Sequence, residues 1–333
     1  MIRIAINGFG RIGKTFLRTL LLDERAKNNM QIVAINTGKP ASPHLGHLFK
    51  FDTTMRALPF NVEQTDKALI VNGISIPLIA ELNTENLDWA ALNIDWVIEC
   101  SGKFTTHALA TQHIQAGAKH VLISAPAEDA DITVIPGINH EFFNKKLHKI
   151  VSLGSCTTNC FAPIIKVLHD HFNIIHGMMT TIHAYTNDQV VLDIDHKDPR
   201  RARTAAQNII PSKTGAEQTI IKIYPELAGK LKAHAMRVPV MDASIVDFTV
   251  ATKENTSTEE LNILFRKAAQ EHLRDTIEYI EQPLVSSDII GNPHAAIVDG
   301  LLTQSLGTIS RICAWYDNEF GYASRMKEFL LHL

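Results

Sequence analysis

No apolar run in this 333-residue chain approaches the roughly 18 consecutive residues that a membrane-spanning helix needs. The N-terminus also lacks a basic stretch followed by an apolar one, since Met1 to Asn7 already has the pattern of a strand. A cytoplasmic protein with no membrane partner is the expectation. Charge of one sign is missing as well. The 32 Lys and Arg against 35 Asp and Glu leave a formal net charge of −3, which gives no electrostatic footprint for nucleic acid. Cysteine is scarce. Four residues, at positions 100, 156, 160 and 313, are too few and too scattered for a disulfide framework. Any cysteine that matters is therefore expected to be a reactive thiol. Internal repeats and low-complexity tracts are absent too.

What is present is an ordinary globular composition, 45% hydrophobic and 20% charged, in a chain long enough for two domains. Arg3 to Asn7 and Gln31 to Asn36 read as strands, and Ile12, Phe16, Leu17, Leu20 and Leu21 share one helical face between them. Asn72-Gly73 joins Ala68–Val71 to Ile74–Leu78 as a hairpin. Trp96–Cys100 and His120–Ser124 are further strands, separated by a helix around Thr106–Ala116. This alternation predicts an α/β domain with a doubly wound, parallel sheet. The rhythm changes near residue 150. Strands over Met178–Tyr185 and Ser244–Thr252, and a helix over Ser257–Leu273, predict an α+β domain with a mainly antiparallel sheet. The polar stretch Thr186–Gln207 has little periodicity and is too long for an idle connector.

Asn7-Gly8-Phe9-Gly10-Arg11-Ile12-Gly13 places G-x-G-x-x-G between the first strand and the first helix. Glycines allow a tight turn and close backbone approach, and a helix N-terminus favours a pyrophosphate. Strand, turn, helix and second strand fall in the order that a dinucleotide site requires. The acidic residue expected after the second strand is absent, because that strand ends Ile35-Asn36-Thr37. Discrimination against NADP should weaken as a result. Lys39 is available as a 2′-phosphate partner, but nothing compels that role.

Ser155-Cys156-Thr157-Thr158-Asn159-Cys160 follows a strand and precedes an apolar helical run. A helix N-terminus stabilises a thiolate and can lower a cysteine pKa to about 3.5–7.5. His183 ends another strand and supplies an imidazole, so Cys156 and His183 form a candidate nucleophile and proton-transfer pair. Cys156 and Cys160 lack a second pair at zinc spacing, and no metal site is expected.

These segments, with His183-Ala184-Tyr185-Thr186, Ser212-Lys213-Thr214-Gly215, Met236-Arg237-Val238-Pro239 and Trp315-Tyr316-Asp317-Asn318-Glu319, resemble the glyceraldehyde-3-phosphate dehydrogenase family across essentially the whole chain. The resemblance implies a phosphorylating dehydrogenase. Cys156 would attack the aldehyde, His183 would take its proton, hydride would pass to NAD, and inorganic phosphate would cleave the thioester. It implies cofactor contacts at Gly8, Gly10, Arg11, Ile12, Gly13, Thr37, Ser124 and Asn318. Thr186 and Arg237 would hold the substrate's phosphate. Ser155, Thr157, Thr214, Gly215 and Arg201 would receive the attacking one, while Asp188 is a weaker anion contact because its charge repels phosphate. A homotetramer is implied, with Thr186–Gln207 as its interface loop. So is a division into a NAD-binding domain, 1–154 plus 318–333, and a catalytic domain, 155–317.

Three departures bear on the cofactor. Thr37 replaces the usual acidic residue, Leu82 stands where many members carry arginine, and Asp195 where NAD-selective members often have proline. NAD is favoured and NADP is admitted. Two rivals follow from the same residues: an erythrose-4-phosphate dehydrogenase on the same scaffold, and a catalytically idle dinucleotide-binding protein.

Overall fold

The first strand, turn and helix form as β1 (Ile2–Asn7) and α1 (Arg11–Leu21), with Gly10 as a helix N-cap that offers no side chain. The computed structural model describes all 333 residues. α2 (Glu24–Asn29) is capped by Asp23, whose carboxylate accepts from the backbone N–H groups of Arg25 and Ala26. β2 (Met30–Asn36) pairs parallel with β1, and α3 (Leu45–Lys50) follows. Next come β3 (Val62–Thr65), β4 (Ala68–Val71) and β5 (Ile74–Ile79). Asn72 and Gly73 have φ of 48° and 79°, the double left-handed conformation that suits a two-residue hairpin. β6 (Trp96–Glu99), α4 (His107–Gln115), β7 (His120–Ile123), β8 (Ile132–Thr133) and β9 (Ile150–Ser152) complete the first sheet. Its order is β3-β4-β5-β2-β1-β6-β7-β9-β8. From β5 onward every pairing is parallel, while β3, β4 and β5 pair antiparallel at one edge. With β2 and β6 on opposite sides of β1, the strand order reverses at β1, and a crevice opens at its carboxyl end.

α5 (Cys156–Phe172) opens the second sheet's layer. It buries 12 of its 17 residues, so its apolar surface wraps most of the way round, as a helix inside a core requires. Phe161 meets Phe248 edge-to-face at 4.8 Å, and removing such a buried ring costs about 3–5 kcal/mol. β10 (Ile174–Ala184) begins four residues earlier than the sequence pattern suggests. It is followed by β11 (Ile210–Ser212), α6 (Ala216–Ile223), β12 (Leu231–Val238) and β13 (Ser244–Thr252). α7 (Thr258–Gln270) has Ser257 as its cap, accepting from the Glu260 N–H. β14 (Ile277–Ile280), α8 (Ser286–Ile289), β15 (Ala296–Asp299), β16 (Gln304–Leu306), β17 (Ile309–Tyr316) and α9 (Phe320–Leu331) close the chain. The sheet runs β11-β12-β10-β13-β17-β15-β14, with β16 paired to β17. Two pairs, β10–β12 and β14–β15, are parallel and the others antiparallel, which makes the sheet mixed.

By contact the chain forms two units: Met1–Val134 with His140–Gly154 and Met326–Leu333, and Ile135–Asn139 with Ser155–Arg325. No helix is long and apolar enough to cross a membrane.

Candidate active site

In the first unit a cavity of about 420 Å³ lies over the carboxyl end of β1 and is lined by Asn7, Gly8, Phe9, Gly10, Asn36 and Thr37 among others. Gly8 has φ of 92°, and a Cβ there would stand 2.5 Å from the Ser101 nitrogen. At Gly13 a Cβ would collide with the Gly8 carbonyl oxygen. Both glycines are thus required by the turn itself. At Gly10, which lines the cavity, an added Cβ would meet no protein atom within 4 Å, so only its own smallness keeps the start of α1 open. Backbone N–H groups without a side-chain cap, at a helix start beside a cavity, suit a pyrophosphate. The residues present therefore fit a dinucleotide.

Of the other residues expected there, Arg11 and Ile12 belong to the first turn of α1, where the Arg11 side chain pairs with Asp52. Thr37 donates its hydroxyl to the Lys39 and Ile79 carbonyls, at 2.7 and 3.0 Å. Ser124 does not line the cavity; its Oγ donates to the Glu99 carbonyl at 2.8 Å. Lys39, Leu82, Lys103 and Phe104 do line it, and of these only Lys39 and Leu82 stand out in the sequence.

In the second unit, Cys156 is the first residue of α5, and Ser155 caps that helix through the Thr158 N–H at 3.1 Å. Its Sγ lies 3.5 Å from His183 Nε2. Across β10–β12, His183 sits in register with Arg237, which puts a guanidinium beside the imidazole. The His183 Nδ1 lies 2.7 Å from the Ala184 carbonyl oxygen, and Arg237 Nη1 donates to the same oxygen at 3.0 Å. The carbonyl only accepts and the guanidinium, 2.7 Å from Nδ1, only donates, so either neutral tautomer finds a partner there, and the one protonated on Nδ1 leaves Nε2 to accept from the thiol. Burial, and then the Arg237 charge 2.7 Å from Nδ1, push the His183 pKa down to about 3.

The thiolate expected from the helix start alone is corrected by the surroundings. Burial pushes the Cys156 thiol up from its ordinary value, while Arg237 and the Thr157 backbone N–H pull the other way. Desolvation wins. The free pair is a thiol facing a neutral imidazole.

Tyr316, which carries no signal in the sequence, holds this arrangement from behind. Its buried hydroxyl bonds to Thr157 Oγ1 at 2.9 Å and to Thr181 Oγ1 at 2.7 Å, and its ring meets His183 edge-on at 5.9 Å. Arg237 Nε is buried and has no acceptor in the protein. Arg201 pairs with Asp188 and donates to Ser212 Oγ at 2.7 Å, so Asp188 is a counterion for arginine. Thr214 and Gly215 stand at the start of α6, where Thr214 Oγ1 accepts from the Ala216 N–H. Thr186 forms a turn with Gln189. None of these three is hydrogen-bonded to the Cys156–His183–Arg237 group, and Asp195 is exposed in the loop that follows. No group of three His, Cys, Asp or Glu side chains is placed to hold a metal ion.

Asn318 accepts from Ser244 Oγ at 2.8 Å, which turns its Nδ2 away from Ser244. Beneath it, fully buried Asp242 lies against Asp317, and its Oδ2 meets no protein donor. Burial, then the charges of Asp317 and Glu319, push the Asp242 carboxyl far above its ordinary value. The folded state therefore holds a proton that the unfolded state releases. This contribution is full below the ordinary carboxylate range and is lost as pH rises toward the raised value. Asp242→Asn keeps the shape of the neutral acid without titrating. It should flatten the fall of Tm with rising pH and add about 2–4 °C at alkaline pH. Parallel Tm–pH profiles for the two proteins would refute the assignment.

Comparison with known proteins accords with this geometry. Residues 2–107 match the glyceraldehyde 3-phosphate dehydrogenase NAD binding domain, and residues 155–318 match the C-terminal domain of the same enzyme. The chain belongs to the glyceraldehyde 3-phosphate dehydrogenase family. Curated relatives share its full length. Glyceraldehyde-3-phosphate dehydrogenase 2 of Nostoc sp. is 47% identical over 98% of this chain and 96% of its own. Its Streptomyces avermitilis namesake is 46% identical over the same shares. Glyceraldehyde-3-phosphate dehydrogenase of Geobacillus stearothermophilus is 42% identical over 100% and 98%. The family expectation from the sequence motifs is borne out, and with it the α/β fold with a parallel-rich first sheet.

Proposed function

We propose that this oxidoreductase converts glyceraldehyde 3-phosphate, NAD and inorganic phosphate into 1,3-bisphosphoglycerate through a thioester on Cys156. The observation that carries this reading is the 3.5 Å approach of Cys156 Sγ to His183 Nε2 at the start of a buried helix. Sulfur attacks the aldehyde carbon as the thiol proton passes to Nε2 and on to the former carbonyl oxygen, so the new C–S bond leaves a neutral hemithioacetal and His183 again free of that proton. NAD, when bound, accepts the hydride that leaves this carbon. His183 takes the hemithioacetal hydroxyl proton as the thioester forms, and inorganic phosphate then breaks the C–S bond and returns the sulfur. Covalent capture retains in the thioester energy that direct hydrolysis would dissipate.

The NAD site is assigned to the unit containing β1, with Gly8, Gly10 and Gly13 shaping the turn, the Arg11 and Ile12 backbone at the pyrophosphate and Thr37 at the ribose. Ser124 and Asn318 are assigned to the cofactor, Asn318 through its Nδ2. Arg237 and Thr186 are assigned to the substrate phosphate, which the unpartnered Arg237 Nε supports. Ser155, Thr157, Thr214, Gly215 and Arg201 are assigned to the attacking phosphate. The domain division 1–154 with 318–333, and 155–317, belongs to the same reading. So does a homotetramer in the cytoplasm. The loop from Thr186 to Gln207 is tied to itself by Arg203–Asp193 and Arg201–Asp188, yet leaves Val191, Leu192 and Ile194 exposed, as an interface loop would.

Turnover of glyceraldehyde 3-phosphate and erythrose 4-phosphate, each with NAD or NADP and with or without inorganic phosphate, tests the reading. Phosphate-dependent oxidation of the triose with NAD is expected, and Thr37→Asp should sharpen the preference for NAD. Fast erythrose 4-phosphate oxidation that ignores phosphate would overturn the substrate, and a native NADP preference would overturn the cofactor.

A further inference from the structure

Behind the cavity in the first unit runs a chain of buried polar side chains that the mechanism does not use. Glu99, at the end of β6, is 1% exposed. Its Oε1 accepts from the Ser101 N–H at 2.6 Å and from Ser101 Oγ at 2.5 Å. Its Oε2 accepts from Asn7 Nδ2 at 2.5 Å and faces His113 Nε2 at 3.2 Å. His113, wholly buried in α4, receives the Trp89 indole N–H on Nδ1 at 3.2 Å. Indole nitrogen only donates, so the proton of the neutral His113 ring lies on Nε2, aimed at Glu99. On the other side Asn7 Oδ1 accepts from Asn36 Nδ2 at 2.8 Å, and Asn36 Oδ1 accepts from the Gly38 and Glu81 N–H groups.

Partners of both Glu99 and His113 belong to the cavity wall. Asn7 and Gly8, Asn36 to Gly38, Glu81, Ser101 and Phe104 all line it, and Phe104 packs on the His113 ring at 5.0 Å. The Gly8 turn also has no room to move toward Ser101, as the close Cβ approach at Gly8 shows. From this geometry we propose that Glu99 and His113 are positioning residues for the dinucleotide: one carboxylate, oriented through Trp89 and His113, fixes the glycine turn and the Ser101 strand end at the spacing the cofactor needs. This rests on the assignment of the cavity to NAD.

The chemistry sets up a discriminating test. In Glu99→Gln the amide NH₂ must face an N–H donor whichever way it turns, the Ser101 backbone on one side or Asn7 Nδ2 on the other, so the crevice walls must shift. In His113→Gln the amide can accept from Trp89 and donate to Glu99, whereas His113→Leu can do neither. Isothermal titration with NAD should give a Kd raised about tenfold or more, about 1.4 kcal/mol, for Glu99→Gln and His113→Leu. His113→Gln should stay within about threefold of the parent. At saturating NAD the kcat of all three should remain near the parent value, with the loss confined to KM for NAD. Lower Tm with unchanged Kd in Glu99→Gln and His113→Leu would overturn the proposal in favour of a merely structural network. If Glu99→Gln does not fold, the two His113 variants decide: equal affinities overturn it. A parent protein that binds no NAD would instead strike the cavity assignment itself.

Discussion

Cys156→Ala should lower aldehyde oxidation by about 10⁴-fold or more while leaving the Kd for NAD within about twofold of the parent. The sulfur is the only atom in its group able to form the acyl bond. His183 is pressed into service as an acceptor, and Arg237 carries a charge that never deprotonates. Alanine at the first position of α5 is a strong helix former, and the Ser155 cap does not involve the cysteine side chain. The helix should therefore keep its place, and the cavity in the other unit should bind cofactor as before. Steady-state rates, calorimetric NAD titration and far-UV circular dichroism check the three parts. Residual turnover within about 100-fold of the parent would mean that the covalent step is not on Cys156.

The second large effect is expected at His183. Asparagine in its place cannot take the proton, and kcat should fall by about 10²–10⁴-fold, the range a positioned general base supplies. The same environment makes a statement about pH. Burial and Arg237 hold His183 at about 3, so the ring protonates, and ceases to act as a base, only as pH falls through that value. The kcat/KM profile, which reports the free enzyme, should show no His183 step in the neutral range. The thiol is pushed the opposite way, so Cys156 alkylation should keep rising as pH passes the ordinary thiol value of 9.0. An alkylation rate already level through the neutral range would show an ionised sulfur and contradict the thiol–imidazole pair. A loss below tenfold in His183→Asn would move the base elsewhere.

Much of this was legible in the residues because the signals were local. The glycine turn, the Asn72-Gly73 hairpin and the helices expected from Thr106 and from Ser257 rest on signals close together in the chain, and all four formed. Cys156 at a helix start was readable for the same reason. What the sequence could not give was anything set by register. Arg237 reaches His183 only because β10 and β12 pair in parallel across 54 residues, and Leu231–Val238, with Lys232 and His234 exposed, carried too weak an alternation to be read as a strand. The rise in the Cys156 thiol depends on burial around α5, which no spacing rule reports. Tyr316 and Glu99 were hidden for a related reason. Their partners lie up to 159 and 92 residues away, and a buried polar side chain looks like any other until its donors are in place.

The covalent thioester is tested most directly by intact mass spectrometry of the protein mixed with glyceraldehyde 3-phosphate and NAD in the absence of phosphate. A gain of one phosphoglyceroyl group, mapped to the peptide carrying Cys156 and discharged when inorganic phosphate is added, is the expected result. Sustained turnover with no adduct, or an adduct on Cys100, Cys160 or Cys313 instead, would contradict it.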